Sequence, residues 1–155
     1  EQSRDFLKDA LPSLENTFKT FDPKVRFFEG EEGVKQLVKD IMWHDNETLC
    51  IIWAADTMDE VFAETFIKWF DERRAKRSLT IHSLWPKKYS KESTLFTQPG
   101  DKKKILESKD IPAMTSIMYG KKVAFVSSNA EAFGFIVESS EFSQLQQMQF
   151  EKLWN

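Results

Sequence analysis

The sequence has 155 residues, of which 41% are apolar and 14% aromatic, and its formal net charge is −3. A length near 150 residues favours one domain with a substantial core, and this apolar content excludes a disordered chain. No run of about 18 apolar residues is present to span a membrane, and the single cysteine excludes an internal disulfide. A mildly acidic chain is a poor nucleic-acid binder by itself. We therefore expect a cytoplasmic protein without a membrane partner, and the start at Glu1 favours a piece of a longer chain.

Residues 1–22 have the pattern of an amphipathic helix. Apolar side chains recur at steps of four and three residues, the heptad spacing of a dimer interface: Leu7, Leu11, Leu14, Phe18 and Phe21. Pro12 should kink this helix, and Pro23 ends it. We interpret the segment as a linker and dimerisation helix that precedes a domain over 23–155. The alternative is a helix that packs on its own domain, because two heptads are too few to decide.

The next part of the chain alternates between strand and helix patterns. Three strands and two helices are predicted in the order strand, helix, strand, helix, strand, over residues 25–29, 34–42, 49–55, 57–77 and 79–85. Gly30 and Gly33 indicate a turn, and Thr57 and Glu60 have capping-box spacing. This order is typical of parallel strands joined by right-handed helical crossovers.

The remainder predicts antiparallel strands and a last helix. Residues 87–110 are polar and lysine-rich, which indicates a long surface excursion without regular structure. A hairpin over 114–127 turns at Gly120, and a strand follows over 133–138. Ser139 or Ser140 can cap a final helix. We therefore predict an α/β fold with a mixed sheet and flanking helices.

A basic cluster ends the second predicted helix: Arg73, Arg74, Lys76 and Arg77. Such a cluster can bind phosphate, but cations in the last turn of a helix also complement its dipole while they stay solvated. Because the overall charge does not support a polyanion-binding surface, we favour the solvated interpretation.

Enzymatic motifs are absent from the sequence. It contains no GxxxxGK[ST] phosphate loop, no GxGxxG and no GxSxG nucleophile elbow. His44 and His82 lie on different predicted elements without metal-ligand spacing, and His82 is interpreted as a hydrogen-bonded structural residue rather than a base. Cys50, in a buried strand, should behave as a small hydrophobic residue. We therefore predict no catalytic residue, no metal and no cofactor.

Several stretches together resemble the effector domain of TrmB-type transcriptional regulators. These are KVRFFEGEEGVKQLVKDIM over 24–42, IMYGKKVAFVS over 117–127, GFIVES over 134–139 and FEKLW over 150–154. The family carries an N-terminal winged helix-turn-helix, a helical linker and then this domain. The resemblance implies that the present chain is a homodimeric regulatory part, and that DNA is bound only through a winged helix absent from it.

This domain type in turn resembles the phospholipase D-like fold. Its catalytic signature, H-x-K-x4-D, lies before and along a hairpin with glycine at the turn, and a Ser-x-Asn often completes the site. We align the Gly120 turn of this chain with the glycine turn of that hairpin. The signature positions for His, Lys and Asp are then occupied by Pro112, Met114 and Tyr119, whereas Ser127 and Asn129 match the Ser-x-Asn pattern. Without the imidazole nucleophile and the lysine, the resemblance implies a fold that has lost its catalysis.

An inactive fold of this kind can still bind a small-molecule effector in the crevice at the carboxyl ends of its strands. Six residues are predicted to line that pocket: Glu29, Trp53, Asp56, His82, Trp85 and Asn129. The two indoles would supply flat apolar walls, and the polar groups would anchor the ligand. The alternative is that both tryptophans fill the core with their N–H groups hydrogen-bonded.

The sequence thus favours the effector-sensing and dimerisation domain of a TrmB-type regulator. Two other classes stay open. One is a phosphodiesterase or nuclease of the phospholipase D superfamily, and the other is a purely structural dimerisation module.

The predicted dimer interface can be tested by charge. Replacing Leu11 and Leu14 with glutamate places charges in the apolar interface and should weaken self-association in analytical ultracentrifugation. Dimerisation that is unchanged in this double variant would exclude the interface.

Overall fold

The computed structural model describes residues 24–87, 94–107 and 112–155. The predicted linker over 1–22 and its five interface residues lie outside the described residues. The described elements, in chain order, are β1 (Val25–Glu29), α1 (Gly30–Ile41), β2 (Thr48–Ile52), α2 (Ala55–Val61), α3 (Glu64–Lys76), β3 (Thr80–Trp85), β4 (Lys102–Ile105), β5 (Thr115–Tyr119), β6 (Lys122–Val126), β7 (Phe133–Glu138) and α4 (Ser140–Trp154). This arrangement confirms the expected α/β class with a mixed sheet and flanking helices.

All seven strands join one sheet in the order β1-β7-β6-β5-β2-β3-β4. β2, β3 and β4 are parallel neighbours, whereas β5, β6, β7 and β1 pair antiparallel. The prediction of three successive parallel strands was therefore wrong for β1, which lies at the far edge and pairs with β7 through Phe27 and Phe135. Local periodicity identifies a strand, but it carries no information about the partner of that strand.

The region expected to be an irregular excursion contains the edge strand β4. Its four residues include three lysines, and it pairs parallel with β3, so that Ser83 lies opposite Lys103. Lysine is the residue that natural sheets place on exposed edges to prevent further pairing. The same residues therefore look like solvated coil in a sequence, which explains why the strand was missed.

Two helix boundaries also differ from expectation. The predicted helix over 57–77 is divided into α2 and α3 by an extended backbone at Phe62. The Thr57–Glu60 capping box is wrong, because α2 begins earlier and the Thr57 hydroxyl donates to the Ala54 carbonyl at 3.1 Å. Gly30 and Gly33 start α1 instead of forming a separate turn before it.

The cap of α4 is confirmed, since the Ser139 hydroxyl accepts from the Phe142 N–H at 3.2 Å.

The sheet is covered on both faces. On one face the larger apolar cluster joins α1, α2 and α3 to the strands, and on the other face a smaller cluster lies beneath α4 around Phe150. The contact between α1 and β7 is close: a Cβ on Gly134 would lie 2.6 Å from a methyl carbon of Leu37. The Leu37 side chain could rotate away, but the Phe125 carbonyl oxygen would lie only 2.9 Å from the same Cβ and is fixed in β6, so glycine is favoured at this position.

A buried ion network attaches the β4 region to α3. The Arg74 guanidinium hydrogen-bonds to the carboxylates of Asp71 and Asp101, and the side chains of Arg74 and Asp101 are each only 1% exposed. Asp101 also accepts from the Ile81 N–H at 2.8 Å and the Gln98 N–H at 2.9 Å. The expectation that the whole basic cluster is solvated was thus wrong for Arg74, because Asp71 of the same helix and Asp101 from before β4 enclose its guanidinium.

Removal of one charge from this network should destabilise the fold. Arg74→Met leaves two buried carboxylates without their cation, so we expect the free energy of unfolding to fall by about 3–5 kcal/mol. Urea denaturation measures this change. Arg73→Met is the matched control, because Arg73 is exposed, and a surface substitution should change stability by no more than about 0.5 kcal/mol.

The network should also make stability depend on acid pH. Burial opposes ionisation of Asp101, but the hydrogen bonds from Arg74, Ile81 and Gln98 outweigh it and lower the pKa of this carboxyl. Its contribution is therefore fully present above the unfolded pKa of about 4 and is lost as pH falls through the lower folded pKa. Asp101→Asn should unfold with a flatter pH dependence below about pH 4 than the wild type. Equal acid slopes would contradict this role.

Candidate functional site

One edge of the sheet gathers the strand ends that the sequence singled out. The pairing directions bring the carboxyl ends of β1, β2, β3, β4 and β6 to the same edge as the amino ends of β5 and β7. Pro112 and Met114 lead into β5 here, beside the residues that follow β2. The Ala54 N–H donates to the Thr115 hydroxyl at 3.0 Å and joins the two strands. We call this end of the sheet, where the strands begin or finish, the strand-end edge, and it is the candidate position for a site.

The two tryptophans at the strand-end edge lie in the interior. Trp53 is 6% and Trp85 2% exposed, their ring centroids are 6.0 Å apart, and Phe96 packs edge-on to both. The Trp85 indole N–H donates to the Ser83 hydroxyl at 2.8 Å. These indoles are thus packed as core residues, which is the alternative that the sequence left open, and Trp53 lines only a small apolar cavity of about 20 Å³ beside Phe62 and Thr115.

Asp56 follows this aromatic cluster at the start of α2. One of its carboxylate oxygens, Oδ1, is buried and has no hydrogen-bond partner. Among the described residues it is the only carboxylate oxygen in this condition. A buried acceptor without a donor costs about 1–3 kcal/mol, and a donor supplied by a ligand removes that cost. Of the predicted site residues, Asp56 is accordingly the one whose carboxylate oxygen has the clearest capacity to accept a hydrogen bond from a ligand.

Two of the other predicted site residues lie at this same end of the sheet, Glu29 at the end of β1 and Asn129 after β6. Glu29 ends β1, which is separated from β2 by three strands, and Asn129 is exposed in the connection between β6 and β7. The ring of His82 stacks on Trp154 of α4 with centroids 5.4 Å apart, on the face opposite the Trp85 indole. The single pocket of six residues was therefore wrong, because neighbouring strands and alternating side chains separate its members.

His82 is held by ring packing rather than by hydrogen bonding. Burial, assisted by the charge of Lys102, lowers the pKa of its imidazole, so that the neutral ring is favoured against Trp154. The expected hydrogen-bonded role is not found among the described residues.

The opposite end of β5 carries a polar cluster around Asp40. The carboxylate of Asp40 accepts from the Tyr119 hydroxyl at 3.0 Å, from Lys122 at 3.1 Å and from Arg26 at 3.1 Å. Burial opposes ionisation of Asp40, but these three hydrogen bonds together lower its pKa. Burial and the Asp40 charge both raise the pKa of Tyr119, which therefore stays protonated as a donor. This arrangement fixes α1 to the hairpin.

Ser127 has a structural role in the turn after β6. Its hydroxyl donates to the Ser128 carbonyl at 3.0 Å and accepts from the Phe133 N–H at 2.8 Å. Its own N–H donates to the Phe133 carbonyl at 2.9 Å. With these bonds made, the side chain of Ser127 is buried in the connection to β7.

Cys50 and the acidic residues give no sign of metal chemistry. Cys50 is buried, and this burial raises the pKa of its thiol, so that it behaves as the small hydrophobic residue expected. In residues 24–87, 94–107 and 112–155, no three His, Cys, Asp or Glu side chains are grouped to hold a metal ion. Within the same ranges, every helix is too short or too polar to cross a bilayer.

Comparison with known proteins rests on structure alone. Neither a protein family model nor a curated protein matches the chain. Nuc from Salmonella typhimurium, a phospholipase D family member, is 12% identical with a TM-score of 0.64, over 86% of this chain and 95% of its own. NucT from Helicobacter pylori is 11% identical with a TM-score of 0.62, over 84% and 95%. The chain has a phospholipase D-like fold.

A third similar structure is TrmBL2, described as an archaeal chromatin protein that shows a novel mode of DNA binding. It is 13% identical with a TM-score of 0.54, and the match covers 99% of this chain. The present chain spans 64% of the length of that structure. At this identity the similarity establishes the fold that the two proteins share.

In this phospholipase D-like fold, the three aligned signature positions occupy both ends of β5. Pro112 and Met114 are at the strand-end edge, whereas Tyr119 lies roughly 16 Å further along, at the Asp40 end. The sequence missed the polar cluster around Asp40 and the buried role of Arg74. Both depend on partners distant in the chain, and nothing in the local pattern points to them.

Proposed function

We propose that this chain is the regulatory domain of a TrmB-type DNA-binding protein, with a phospholipase D-like fold that no longer hydrolyses phosphodiesters. The observation that carries the proposal is the absence of any histidine at the strand-end edge. The sequence has two histidines. His44 is hydrogen-bonded to Glu47 at 2.7 Å near Gly120, at the other end of β5, and His82 is stacked on Trp154.

Two of the residues at the aligned signature positions, Pro112 and Met114, cannot supply that chemistry. Phosphoryl transfer through a covalent intermediate needs an activated nucleophile, and the developing charge needs a donor or cation beside it. The ring of Pro112 has no nucleophilic atom, and the thioether of Met114 carries no charge. The chemistry of these two side chains supports the proposal that the edge binds a ligand without hydrolysing it.

Regulation requires a ligand that binds one conformation more tightly than another. We place the effector at the strand-end edge, where the unpartnered Asp56 oxygen would accept a hydrogen bond from it. A homodimer formed through residues 1–22 would pass the change to winged-helix domains outside this chain, whose spacing must match two half-sites on DNA. The likeness in fold to TrmBL2, a DNA-binding protein, supports this context.

Loss of hydrolysis is tested directly with a chromogenic phosphodiester, bis(p-nitrophenyl) phosphate, in the presence of a chelator. Because no imidazole lies at the strand-end edge, we expect no rate above that of buffer, with a commercial phosphodiesterase as the positive control. Hydrolysis that disappears in His82→Ala would overturn the proposal in favour of a phosphodiesterase that uses a different site.

Effector binding is tested by thermal shift across sugars, nucleotides and metabolites. A specific ligand at 100 times its Kd should stabilise the chain by about 2.7 kcal/mol, and Asp56→Asn should reduce this shift. Asp45→Asn, at an exposed position, is the matched control and should respond like the wild type. A chain that responds to no ligand would instead be a structural dimerisation module.

A further inference from the structure

A basic groove lies between the last turns of α1 and α3, at the end of the sheet away from Pro112 and Met114. Six of its lining residues are Lys39, Trp43, Trp69, Arg73, Lys76 and Arg77, and the groove encloses about 520 Å³. The Asn46 N–H donates to the Arg77 carbonyl at 3.1 Å, which holds the two helix ends together. The groove is thus built from separate parts of the chain.

The charge of the basic groove is not neutralised by its neighbours. Its described lining contains four cations and no carboxylate, and none of the four forms a salt bridge with a described residue. Asp40, next to Lys39, is already bound to Arg26, Lys122 and Tyr119. Several like charges around one concave surface produce a positive potential that attracts an anion.

An exposed aromatic side chain lies beside these cations. Trp43 is 83% exposed, more than any other large apolar residue in the described ranges. Trp69 is half-buried, and the Arg73 guanidinium carbon lies 6.0 Å from its ring centroid. Trp43 therefore contributes little to the core, and its indole presents a flat surface to the groove opening.

We infer that the basic groove binds a phosphate group that carries an aromatic base, either in a nucleotide or in a single strand of nucleic acid. Cations that follow phosphates beside an aromatic side chain that stacks on a base are the two parts of such recognition. Cations at the carboxyl end of α3 interact favourably with its dipole, which explains Arg73, Lys76 and Arg77 without any ligand. The dipole does not explain why the Trp43 indole is exposed beside them. The inference is independent of the function proposed for the strand-end edge.

Fluorescence anisotropy with a labelled oligo-dT of about 12 nucleotides at low salt tests the inference on the full 155-residue chain. Trp43→Ala should weaken binding at least about fivefold, because it removes the stacking surface. The double variant Arg73→Gln/Lys76→Gln should weaken it as well, and should reduce the slope of log affinity against log salt by about 1.4.

Matched control variants lie outside the basic groove. Phe27→Ala removes an aromatic side chain that is 72% exposed, and Lys68→Gln/Lys102→Gln removes two exposed cations. Both should bind like the wild type. Binding that is lost equally in these controls, binding that survives in the groove variants, or no binding at low salt would overturn the inference.

Competition identifies the source of the phosphate. If adenosine monophosphate displaces the oligonucleotide and its own binding also depends on Trp43, the groove is a nucleotide site. If neither the mononucleotide nor inorganic phosphate competes, it is a single-strand site. Competition by inorganic phosphate without any effect of Trp43→Ala would exclude base recognition. Asp56→Asn should leave binding in the groove unchanged, so failure here and failure of the proposed effector site are distinguishable.

Discussion

One buried guanidinium holds the segment before β4 against α3. Arg74 is almost completely enclosed, and a charge in that position is tolerated only with partners. Asp101 provides one of them, 27 residues later in the chain, and its remaining hydrogen bonds fix the backbone before β4. Asp71 provides the other and also accepts from the Phe96 N–H at 3.4 Å. The aromatic packing at the strand-end edge therefore depends on the same ion network that positions the edge strand.

This dependence explains which features could be predicted from the sequence. The hairpin around Gly120 and the serine cap at Ser139 follow from local rules, because neighbouring residues decide them. The pairing of β1 with β7 and the burial of Arg74 involve partners far apart in the chain. The local spacing of apolar residues does not depend on these partners and cannot predict them. In the candidate site, the strand ends were predicted, but the direction of each side chain was not. His82 and Trp85 are three residues apart on one strand and face opposite sides of the sheet.

β5 has a structural role at both of its ends. At the Asp40 end, the Tyr119 hydroxyl donates to the carboxylate that joins α1 to the hairpin. Tyr119 therefore contributes to the stability of the fold. At the other end, Pro112 and Met114 contribute no charge and no nucleophile. Thr115, the next residue, still ties β5 to the end of β2 through its hydroxyl. A fold that loses a reactive group but keeps such connections retains its shape, because the ladder hydrogen bonds and the packed core do not depend on catalysis.

The two surfaces proposed to bind ligands lie at opposite ends of the sheet, and α3 is the element that touches both. Its exposed cations line the basic groove, whereas Arg74 and Asp71 on its inner side hold Phe96 against Trp53. A ligand changes a distant site only through an element whose position both sites influence. The sheet between the two surfaces is a continuous hydrogen-bonded ladder and resists such displacement. A shift of α3 would couple the groove to the strand-end edge, and the buried ion network opposes such a shift.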